Sequence, residues 1–569
     1  MSSGIYGEIA SLAKRRGFFY QAYELYGGKR GFMTLGPLGV LLKENIVREW
    51  RRIFIERHEN IFEIESPIIN PGIVFKASGH VEKFVEPLLE CSSCGKKYRA
   101  DKYLEEKYGL KNIEGLTPKE IWEIIKEKNV KCECGGEFKF PRTFSLLFET
   151  RIGPYETGEV DYLRPEAAQG MFIDFKNLVT YARNQIPFGV AQIGKVARNE
   201  ISPRKGLIRL REFTIMEIEL FFDPENPNCE YLPEVEDIEL PLLTADKQLD
   251  QSYEIQWVTV KKALEKCLIK TDWQAYFMAL AFEFLKELGI PEEKQRFREQ
   301  LPNELAHYSA QTYDQQVVLS RWGWVEISGH AYRTDYDLKR HSKYSGESLT
   351  FKKQLEKPIE VETVEITPDM KVVGPILRDK TPKFIEYLKL LPVNELKKLL
   401  NKEFIEYEGH EIPSSAIKFK VVKKKVSHKE FIPHVAEPSF GLERILYATL
   451  ECAYRKKNGR TILSFPAKIA PIKVAVFPLV KRDGLPEKAR TVYNLLRKHG
   501  IKCIYNDKYS IGKLYAEADE IGIPYSVTID YETLKNNTVT VRDRDTWEQV
   551  RMLIALLPSY LKKRLGGNE

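Results

Sequence analysis

The sequence predicts a mixed α+β protein that ends in a separate α/β domain, and three stretches carry this prediction. Residues 196–222 read VARNEISPRKGLIRLREFTIMEIELFF, which are two strand-like runs joined by turn-forming residues. Residues 38–59 carry apolar side chains at near-helical spacing and precede a short strand. After residue 470, strands of the buried type alternate with helical runs, a pattern typical of a compact α/β domain.

Length and composition indicate a globular protein of several domains. A chain of 569 residues exceeds the roughly 250–300 residues at which a single core stops growing. The excess of 88 basic over 81 acidic residues permits a polyanionic partner without requiring one. No apolar run approaches the ~18 residues of a membrane span, and the N-terminus lacks the apolar core of a signal peptide. We therefore expect a cytosolic protein whose eight cysteines stay reduced.

The remaining elements are predicted in chain order. The helix at 38–59 leads into a strand that ends at Pro67. The segment 91–134 contains four of the eight cysteines among many charges, which indicates an insertion. Residues 273–291 read as a helix stopped by a glycine and a proline. Residues 350–430 alternate lysine-rich runs with Val and Ile and predict a peripheral, β-rich insertion.

The hairpin at 196–222 has one apolar face and one charged face, because alternate side chains of a strand point to opposite sides. The apolar set is Ile208, Leu210, Met216, Ile218 and Leu220. The charged set is Arg209, Arg211, Phe213, Glu217 and Glu219, joined by Arg198 and Glu200 from the first strand. Guanidinium groups suit phosphate, an aromatic ring suits a purine, and carboxylates suit an ammonium group. A nucleotide and a small zwitterion would fit, although a surface hairpin of weak ion pairs has the same pattern.

The clustered cysteines predict a structural zinc site. "CSSC" and "CEC" together offer four thiolates, the number that a closed zinc site needs. The alternative is four reduced surface cysteines without a metal. The predicted ligands are Cys91, Cys94, Cys132 and Cys134.

The hairpin also resembles a known motif. "ARNEISPRKGLIRLREFTIMEIE" resembles motif 2 of class II aminoacyl-tRNA synthetases, in the form found in glycyl-tRNA synthetases of the eukaryotic and archaeal type. "EPSFGLERIL" (437–446) resembles motif 3, and "EIESPIINP" near Pro67 resembles motif 1. "YLRPEAAQGMF", "RFREQLPNELAHYS" and "GWVEISGHAYRTDYDLKRH" are similar to stretches specific to the glycyl enzymes. The likeness runs in order along the whole chain.

The resemblance implies a domain plan. An antiparallel catalytic sheet flanked by helices would occupy 1–466, and an α/β anticodon-binding domain would occupy 470–569. Insertions are expected at about 85–145, 223–295 and 345–430. Motif 1 forms the dimer interface in this class, so a homodimer is implied. The C-terminal domain would contact tRNA, whereas its charge alone fits a solvated surface equally well. The lysine-rich run at 417–430 either touches the tRNA acceptor arm or is a solvated strand edge.

The implied reaction is the ATP-dependent ligation of glycine to tRNA(Gly) through a glycyl-adenylate, with release of AMP and diphosphate. The same adenylate would allow synthesis of diadenosine tetraphosphate. One rival is a class II synthetase for serine, proline or threonine, against which the "RPEAAQG" loop argues. Another is a synthetase-like binding protein without activity, against which the retained Arg198 and Arg444 argue.

Carried over from the family, Arg198 would bind the α-phosphate and Arg444 the γ-phosphate, and these two are the predicted catalytic residues. Glu200 would meet the adenine edge, Phe213 would stack on the ring, and Arg209 would position the triphosphate. Glu326 would also be a ligand of Mg²⁺. The full ATP-binding set is Arg198, Asn199, Glu200, Ile208, Arg209, Leu210, Arg211, Glu212, Phe213, Glu326, Ile327, Gly441 and Arg444.

The glycine end would be formed chiefly by carboxylates. The implied set is Arg99, Glu166, Phe213, Glu217, Glu437, Ser439 and Gly441. Since glycine has no side chain, its recognition must come from its charged ends and from excluded volume, and no editing domain is expected. Ala167 and Glu443 depart from the threonine and glycine of many relatives, which leaves fine positioning open. His307 and His330 are more readily explained as hydrogen-bonded structural residues than as catalytic ones.

Overall fold

The computed structural model describes residues 4–566 except 111, 112, 114, 155–158, 204 and 392. Arg204, in the predicted hairpin loop, therefore lies outside the described residues. The chain forms two compact units, Met1–Leu349 with Ile432–Glu569, and Thr350–Phe431. No helix within the described ranges is long and apolar enough to cross a membrane.

The first part of the larger unit runs to residue 349. Its strands are β1 (Phe19–Gln21), β2 (Met33–Leu35), β3 (Ile61–Glu63), β4 (Ile69–Asn70), β5 (Val85–Glu90), β6 (Lys97–Arg99), β7 (Arg142–Ser145), β8 (Phe148–Thr150), β9 (Asp161–Leu163), β10 (Phe188–Ala197), β11 (Glu212–Phe222), β12 (Glu239–Leu243), β13 (Gln256–Thr259), β14 (Gln295–Glu299), β15 (Gln311–Leu319) and β16 (Gly323–Thr334). Its helices are α1 (Ile5–Arg16), α2 (Pro37–Phe54), α3 (Gly72–Ser78), α4 (His80–Lys83), α5 (Ala100–Tyr108), α6 (Pro118–Glu127), α7 (Ala168–Ile173), α8 (Phe175–Tyr181), α9 (Ala245–Leu249), α10 (Val260–Glu265), α11 (Asp272–Glu287) and α12 (Tyr336–Ser345).

The smaller unit and the C-terminal part complete the element list. The smaller unit has β17 (Phe351–Pro368), β18 (Phe404–Tyr407), β19 (His410–Pro413), β20 (Ile417–Phe431), α13 (Met370–Leu377), α14 (Thr381–Leu390) and α15 (Val393–Leu400). The C-terminal part has β21 (His434–Gly441), β22 (Tyr454–Lys457), β23 (Arg460–Leu463), β24 (Val474–Pro478), β25 (Cys503–Tyr505), β26 (Tyr525–Ile529), β27 (Thr538–Asp543), β28 (Gln549–Leu553), α16 (Leu442–Ala453), α17 (Leu485–Lys498), α18 (Ile511–Ile521), α19 (Tyr531–Asn536) and α20 (Leu557–Arg564).

A nine-stranded sheet, in the order β13-β12-β14-β15-β16-β21-β11-β10-β3, is the centre of the larger unit. Its central pairs are antiparallel. Helix α11 is apolar nearly all round and buries most of its residues, as a helix inside a core does. Helix α2 packs against it, and Gly39 there meets the Phe18 carbonyl so closely that a Cβ atom would clash. The predicted α+β class with an antiparallel sheet is confirmed.

The predicted hairpin exists, but its strands end earlier than the alternation indicated. β10 stops at Ala197 and β11 starts at Glu212, so Arg198, Glu200, Arg209 and Arg211 lie in a loop. The side chain of Arg211 donates to the carbonyl oxygens of Arg30 and Glu200. Alternation of polar and apolar residues in this loop therefore does not signal a strand.

Two predicted insertions differ from expectation in content. Residues 223–295 supply β12 and β13, which extend the main sheet, and α11, which covers it, so this segment belongs to the core of the larger unit. The smaller unit contains three helices beside the β17–β20 ladder, so it is not simply β-rich. In that ladder Lys425 pairs with Glu360 and Lys420 with Glu365, and opposite charges facing each other favour a solvated ladder.

The C-terminal α/β domain follows the predicted order of strands and helices. Its sheet has the order β25-β24-β26-β27-β28, of which the exposed edge strand β28 was not predicted. Arg542 and Asp519 form a buried two-bond ion pair inside it. Arg16 of α1 binds Glu517 and Glu520 of α18, which ties this domain to the N-terminal helix.

Candidate active site

Two adjoining cavities lie against the central sheet. The larger has a volume of about 660 Å³ and the smaller one of about 80 Å³. Both are lined by Arg198, Glu326 and Ser439, so these residues form the boundary between the cavities. The larger cavity is rich in carboxylates and the smaller one in residues from the 198–211 loop.

Strand register builds the carboxylate end. Glu217 on β11 is paired with Ser439 on β21, and Ser439 is paired with Gly329 on β16. Two residues along, Glu437 is paired with Ala331. Since side chains two apart share a face of a sheet, these acids and small residues form adjacent rows on one surface. The pocket therefore combines negative charge with little side-chain bulk.

The carboxylate of Glu217 is held on both oxygens. The Ser439 hydroxyl donates to Oε1 at 2.7 Å, and the backbone N–H of Ala167 donates to Oε2 at 2.6 Å. Ala167 stands where many relatives have threonine, and its backbone N–H still binds Glu217. Glu166 accepts from the Gln169 side chain at 2.8 Å and lies 3.4 Å from His80. The structure brings the predicted acids 166, 217 and 437 together.

A buried arginine that the sequence did not single out joins this group. Arg333 has no exposed surface, donates to Glu437 at 3.0 Å, and makes two bonds to Asp337 at 3.0 and 3.1 Å. Its guanidinium carbon lies 3.7 Å from the Tyr308 ring centre, and Nη2 lies 3.5 Å from Glu166. The sequence "RTDYD" shows an arginine and an aspartate four residues apart. It does not show that the arginine binds Glu437.

The pKa values of the three acids shift in two directions. Burial raises the pKa of Glu437 to about 8 in spite of Arg333, and burial with the nearby Glu166 raises the pKa of Glu217. Burial opposes ionisation of Glu166 as well, but His80 and Arg333 hold its pKa below the usual value. Of the three predicted acids, Glu166 is therefore the one whose pKa is lowered. Glu219, on the predicted charged face, lies fully buried, and burial and Glu437 raise its pKa well above normal.

The two predicted catalytic arginines flank the smaller cavity. Arg198 lies between the rings of Phe84 and Phe213, 5.5 and 5.3 Å from their centres. Its Nε–H donates to the Pro165 carbonyl at 3.0 Å, and its Nη groups have no hydrogen-bond partner within the described ranges. Arg444 donates to Ile208 O at 3.1 Å and to both the carbonyl and the carboxylate of Glu326.

A chain of charged side chains connects the 198–211 loop to the cysteine-containing segment. Arg209 binds Glu200 on one side and Glu86 on the other. Glu86 also binds Arg99, which is bonded to Asp101. Arg99 is thus held in an ion-pair chain at the cavity edge rather than among the three glutamates. Glu86 and Asp101 were not predicted; Asp101 pairs with Arg99 two residues away, whereas the partner Arg209 of Glu86 is 123 residues away.

Most of the predicted nucleotide residues line the smaller cavity, and three do not. Those that line it are Arg198, Glu200, Ile208, Arg209, Leu210, Phe213, Glu326, Ile327, Gly441 and Arg444. Asn199, Arg211 and Glu212 are absent from the described lining of both cavities. Glu443 accepts from the backbone N–H and the hydroxyl of Thr214, a buried link between motif 3 and β11.

Both histidines lie within hydrogen-bonding distance of neighbouring residues, as expected. His307 lines the larger cavity, and its Nε2 lies 2.9 Å from the Ser78 carbonyl. His330 is buried beside Ser328, and burial lowers its pKa to about 3. Neither contacts a predicted catalytic group in the structure.

The four cysteines meet at one point. All their Sγ atoms lie within 4.8 Å of one another, with Cys91–Cys134 at 3.5 Å and Cys94–Cys132 at 3.7 Å. A tetrahedron of thiolates around zinc has edges of about 3.8 Å, because Zn–S bonds are about 2.3 Å long. Across the described part of the chain, no other cluster of three or more metal-binding side chains occurs.

The chain is similar to named proteins over nearly its whole length. A glycine–tRNA ligase of Aeropyrum pernix is 46% identical over 97% of this chain and 95% of its own length. Those of Pyrococcus furiosus and Methanocaldococcus jannaschii are 46% and 44% identical; they align over 99% of this chain and over 99% and 100% of their own lengths. The family model "Anticodon binding domain" matches residues 473–564. Among solved structures, prolyl-tRNA synthetase of Cryptosporidium parvum, complexed with halofuginone and AMPPNP, covers 99% of this chain and 78% of its own at 13% identity, with a TM-score of 0.53, a likeness of fold.

Proposed function

Because this chain belongs to the glycine–tRNA ligase family of class II aminoacyl-tRNA synthetases, we infer that it ligates glycine to tRNA at the expense of ATP. The observation that carries this inference is the shared boundary at Arg198. Carboxylates suited to an ammonium group lie on one side of it, and arginines suited to phosphates lie on the other. A substrate carboxylate and a phosphate would meet between them.

The chemistry needs alignment rather than a protein nucleophile. A carboxylate oxygen of glycine attacks the α-phosphorus, a new P–O bond forms, and diphosphate leaves with the electrons of the broken bond. The terminal hydroxyl of tRNA then attacks the carbonyl carbon, and AMP leaves. Arg198, fixed by its stacking and by Pro165, would stabilise the charge that develops on the α-phosphate.

The remaining substrate contacts are assigned by position. Arg444 would bind the γ-phosphate, and Glu200 and Phe213 would hold the adenine. Glu326, which faces both cavities, would bind the Mg²⁺ that accompanies ATP. Glu166, Glu217 and Glu437 would surround the ammonium group of glycine. The C-terminal domain would bind the anticodon region of tRNA.

Exchange of radioactive diphosphate into ATP tests the substrate assignment. We expect glycine to drive exchange, and alanine and serine to be at least about a hundredfold less effective, because a substrate without a side chain must be recognised by its charged ends and by exclusion of a Cβ atom. Omission of any amino acid is the control for background exchange. Faster exchange with another amino acid would reject glycine as the substrate.

We propose a structural zinc ion bound by Cys91, Cys94, Cys132 and Cys134, which is supported by the tetrahedral spacing of their sulfur atoms. Protein purified without chelators is expected to contain one zinc per chain by elemental analysis. Cys94→Ser should lose it, whereas Cys267→Ser, at an exposed cysteine outside the cluster, should retain it. Wild-type protein without stoichiometric zinc would end the proposal.

We also propose a homodimer. The segment that resembles motif 1 exposes Ile68, Ile69 and Ile73 beside Pro67, and adjacent exposed isoleucines mark a surface suited to burial against another chain. Sedimentation equilibrium measures the assembly directly, and a monomer at micromolar concentration would exclude it.

A further inference from the structure

Glu86 is a buried carboxylate on the strand that leads into the cysteine-containing segment, and it faces the larger cavity. It lies on β5, is 7% exposed, and lines the larger cavity. Glu90, four residues later on the same strand, forms partly exposed ion pairs with Lys139 and Lys97 instead. The two glutamates of one strand therefore have different surroundings.

Two arginines from different parts of the chain donate to the same oxygen of Glu86. Arg99 donates from Nη1 to Oε1, and Arg209 donates from Nη2 to Oε1 at 3.2 Å and to Oε2 at 3.4 Å. Each arginine has a second carboxylate partner, Asp101 for Arg99 and Glu200 for Arg209. Glu86 is the central member of a five-residue chain that is largely shielded from water. Removal of one member of such a chain leaves desolvated charge without a partner.

Arg209 forms ion pairs with two carboxylates, those of Glu86 and Glu200. Together they fix the position of its guanidinium group. Glu200 binds Arg209 through Nε, at 2.5 Å, and through Nη2, whereas Glu86 binds Nη2 alone. Without Glu86, Glu200 would be the remaining acceptor, and the guanidinium of Arg209 would be fixed from one side only. Glu200 and Arg209 both line the smaller cavity. A change in the orientation of this pair would displace a contact for adenine and a contact for phosphate together.

We propose that Glu86 is a positioning residue for ATP, which gives Arg209 a second carboxylate partner besides Glu200 and anchors it to Arg99 of the cysteine-containing segment. This rests on the proposed function of the smaller cavity as the nucleotide site. Glu86 would affect the binding of ATP through Arg209 and would not itself contact ATP.

The same geometry makes ATP binding sensitive to pH. Burial raises the pKa of Glu86 to about 7; Arg99 and Arg209 oppose the rise, and Glu200 and Asp101 add to it. These four are the charged groups that face Glu86 from β6, the 198–211 loop and α5. Protonation of Glu86 as the pH falls through this value releases Arg209. The KM for ATP therefore rises on acidification.

The test is Glu86→Gln, with Glu90→Gln as the matched control on the same strand. In diphosphate exchange at saturating glycine, Glu86→Gln is expected to raise the KM for ATP about tenfold and to leave the KM for glycine within about twofold. Its KM for ATP should be flat between about pH 6 and pH 8, whereas that of the wild type and of Glu90→Gln should fall across this range. A rise confined to the KM for glycine would overturn the proposal.

A double-mutant cycle with Arg209→Lys separates positioning from a general structural effect. In the Arg209→Lys background, Glu86→Gln should change the KM for ATP by less than about twofold. An equal effect in both backgrounds would show that Glu86 does not act through Arg209. If Glu86→Gln does not fold, a flat wild-type KM profile would itself overturn the proposal. Absence of glycine-dependent exchange in the wild type would instead reject the proposed function.

Discussion

Replacement of Arg198 by alanine is expected to lower the rate of glycine-dependent diphosphate exchange by about a hundredfold to a thousandfold. The side chain is held by cation–π contacts with two phenyl rings and by one bond to Pro165, which leaves its Nη groups for the phosphate. Alanine removes positive charge where negative charge develops. The effect should fall mainly on kcat, because it acts on the transition state.

The fold should tolerate this change. Arg198→Ala removes one hydrogen bond to a carbonyl, a loss of about 1 kcal/mol, and thermal unfolding should show a small shift. Arg482→Ala, at a side chain that is 75% exposed in the C-terminal domain, is the matched control and should keep full exchange activity. Retained activity in Arg198→Ala would contradict its assigned role at the α-phosphate.

Glu166→Gln is expected to raise the KM for glycine roughly a hundredfold while the KM for ATP changes little. Among the three predicted acids, Glu166 is the one with a lowered pKa, because His80 and Arg333 outweigh its burial. A lowered pKa means that the charge is present throughout the neutral range and is lost only in acid. The loss caused by the amide should therefore be equal between about pH 6 and pH 8.

The control for this prediction is Glu149→Gln, an exposed glutamate on the nearby strand β8. It should leave both KM values as in the wild type. An increase in the KM for ATP as large as that for glycine would indicate general damage to the cavity. An unchanged KM for glycine would remove Glu166 from the ammonium site.

Local pattern was sufficient for elements whose residues follow one period over their whole length. Helix α2 and helix α11 lie where apolar spacing placed them, and the strands after residue 470 lie where buried runs alternated with helices. The 198–211 loop was misjudged for a physical reason. Its alternating charges are bonded to backbone carbonyls and to nearby acids, so the alternation reflects a bonded loop and not a strand face.

The site was predictable as a set of residue types but not as an arrangement. Glu217 and Ser439 become neighbours only through the pairing of β11 with β21, which single-sequence periodicity does not contain. Arg333 and Glu86 were missed because their meaning depends on partners far along the chain. The family resemblance identified the acids and arginines of the site. The structure then identified the residues that bind to them.

Two rows of residues across the sheet constrain any redesign of the substrate pocket. One row contains Glu217, Ser439 and Gly329, and the other contains Glu437 and Ala331. These five residues are carried by the alignment of three separate strands, whereas Glu166 comes from the loop between β9 and α7. A slip of one strand by a single position would turn every acid of that strand to the opposite side. Retargeting such an enzyme to a bulkier amino acid is therefore a problem of moving backbones, and random diversification of surface segments would leave its selectivity untouched.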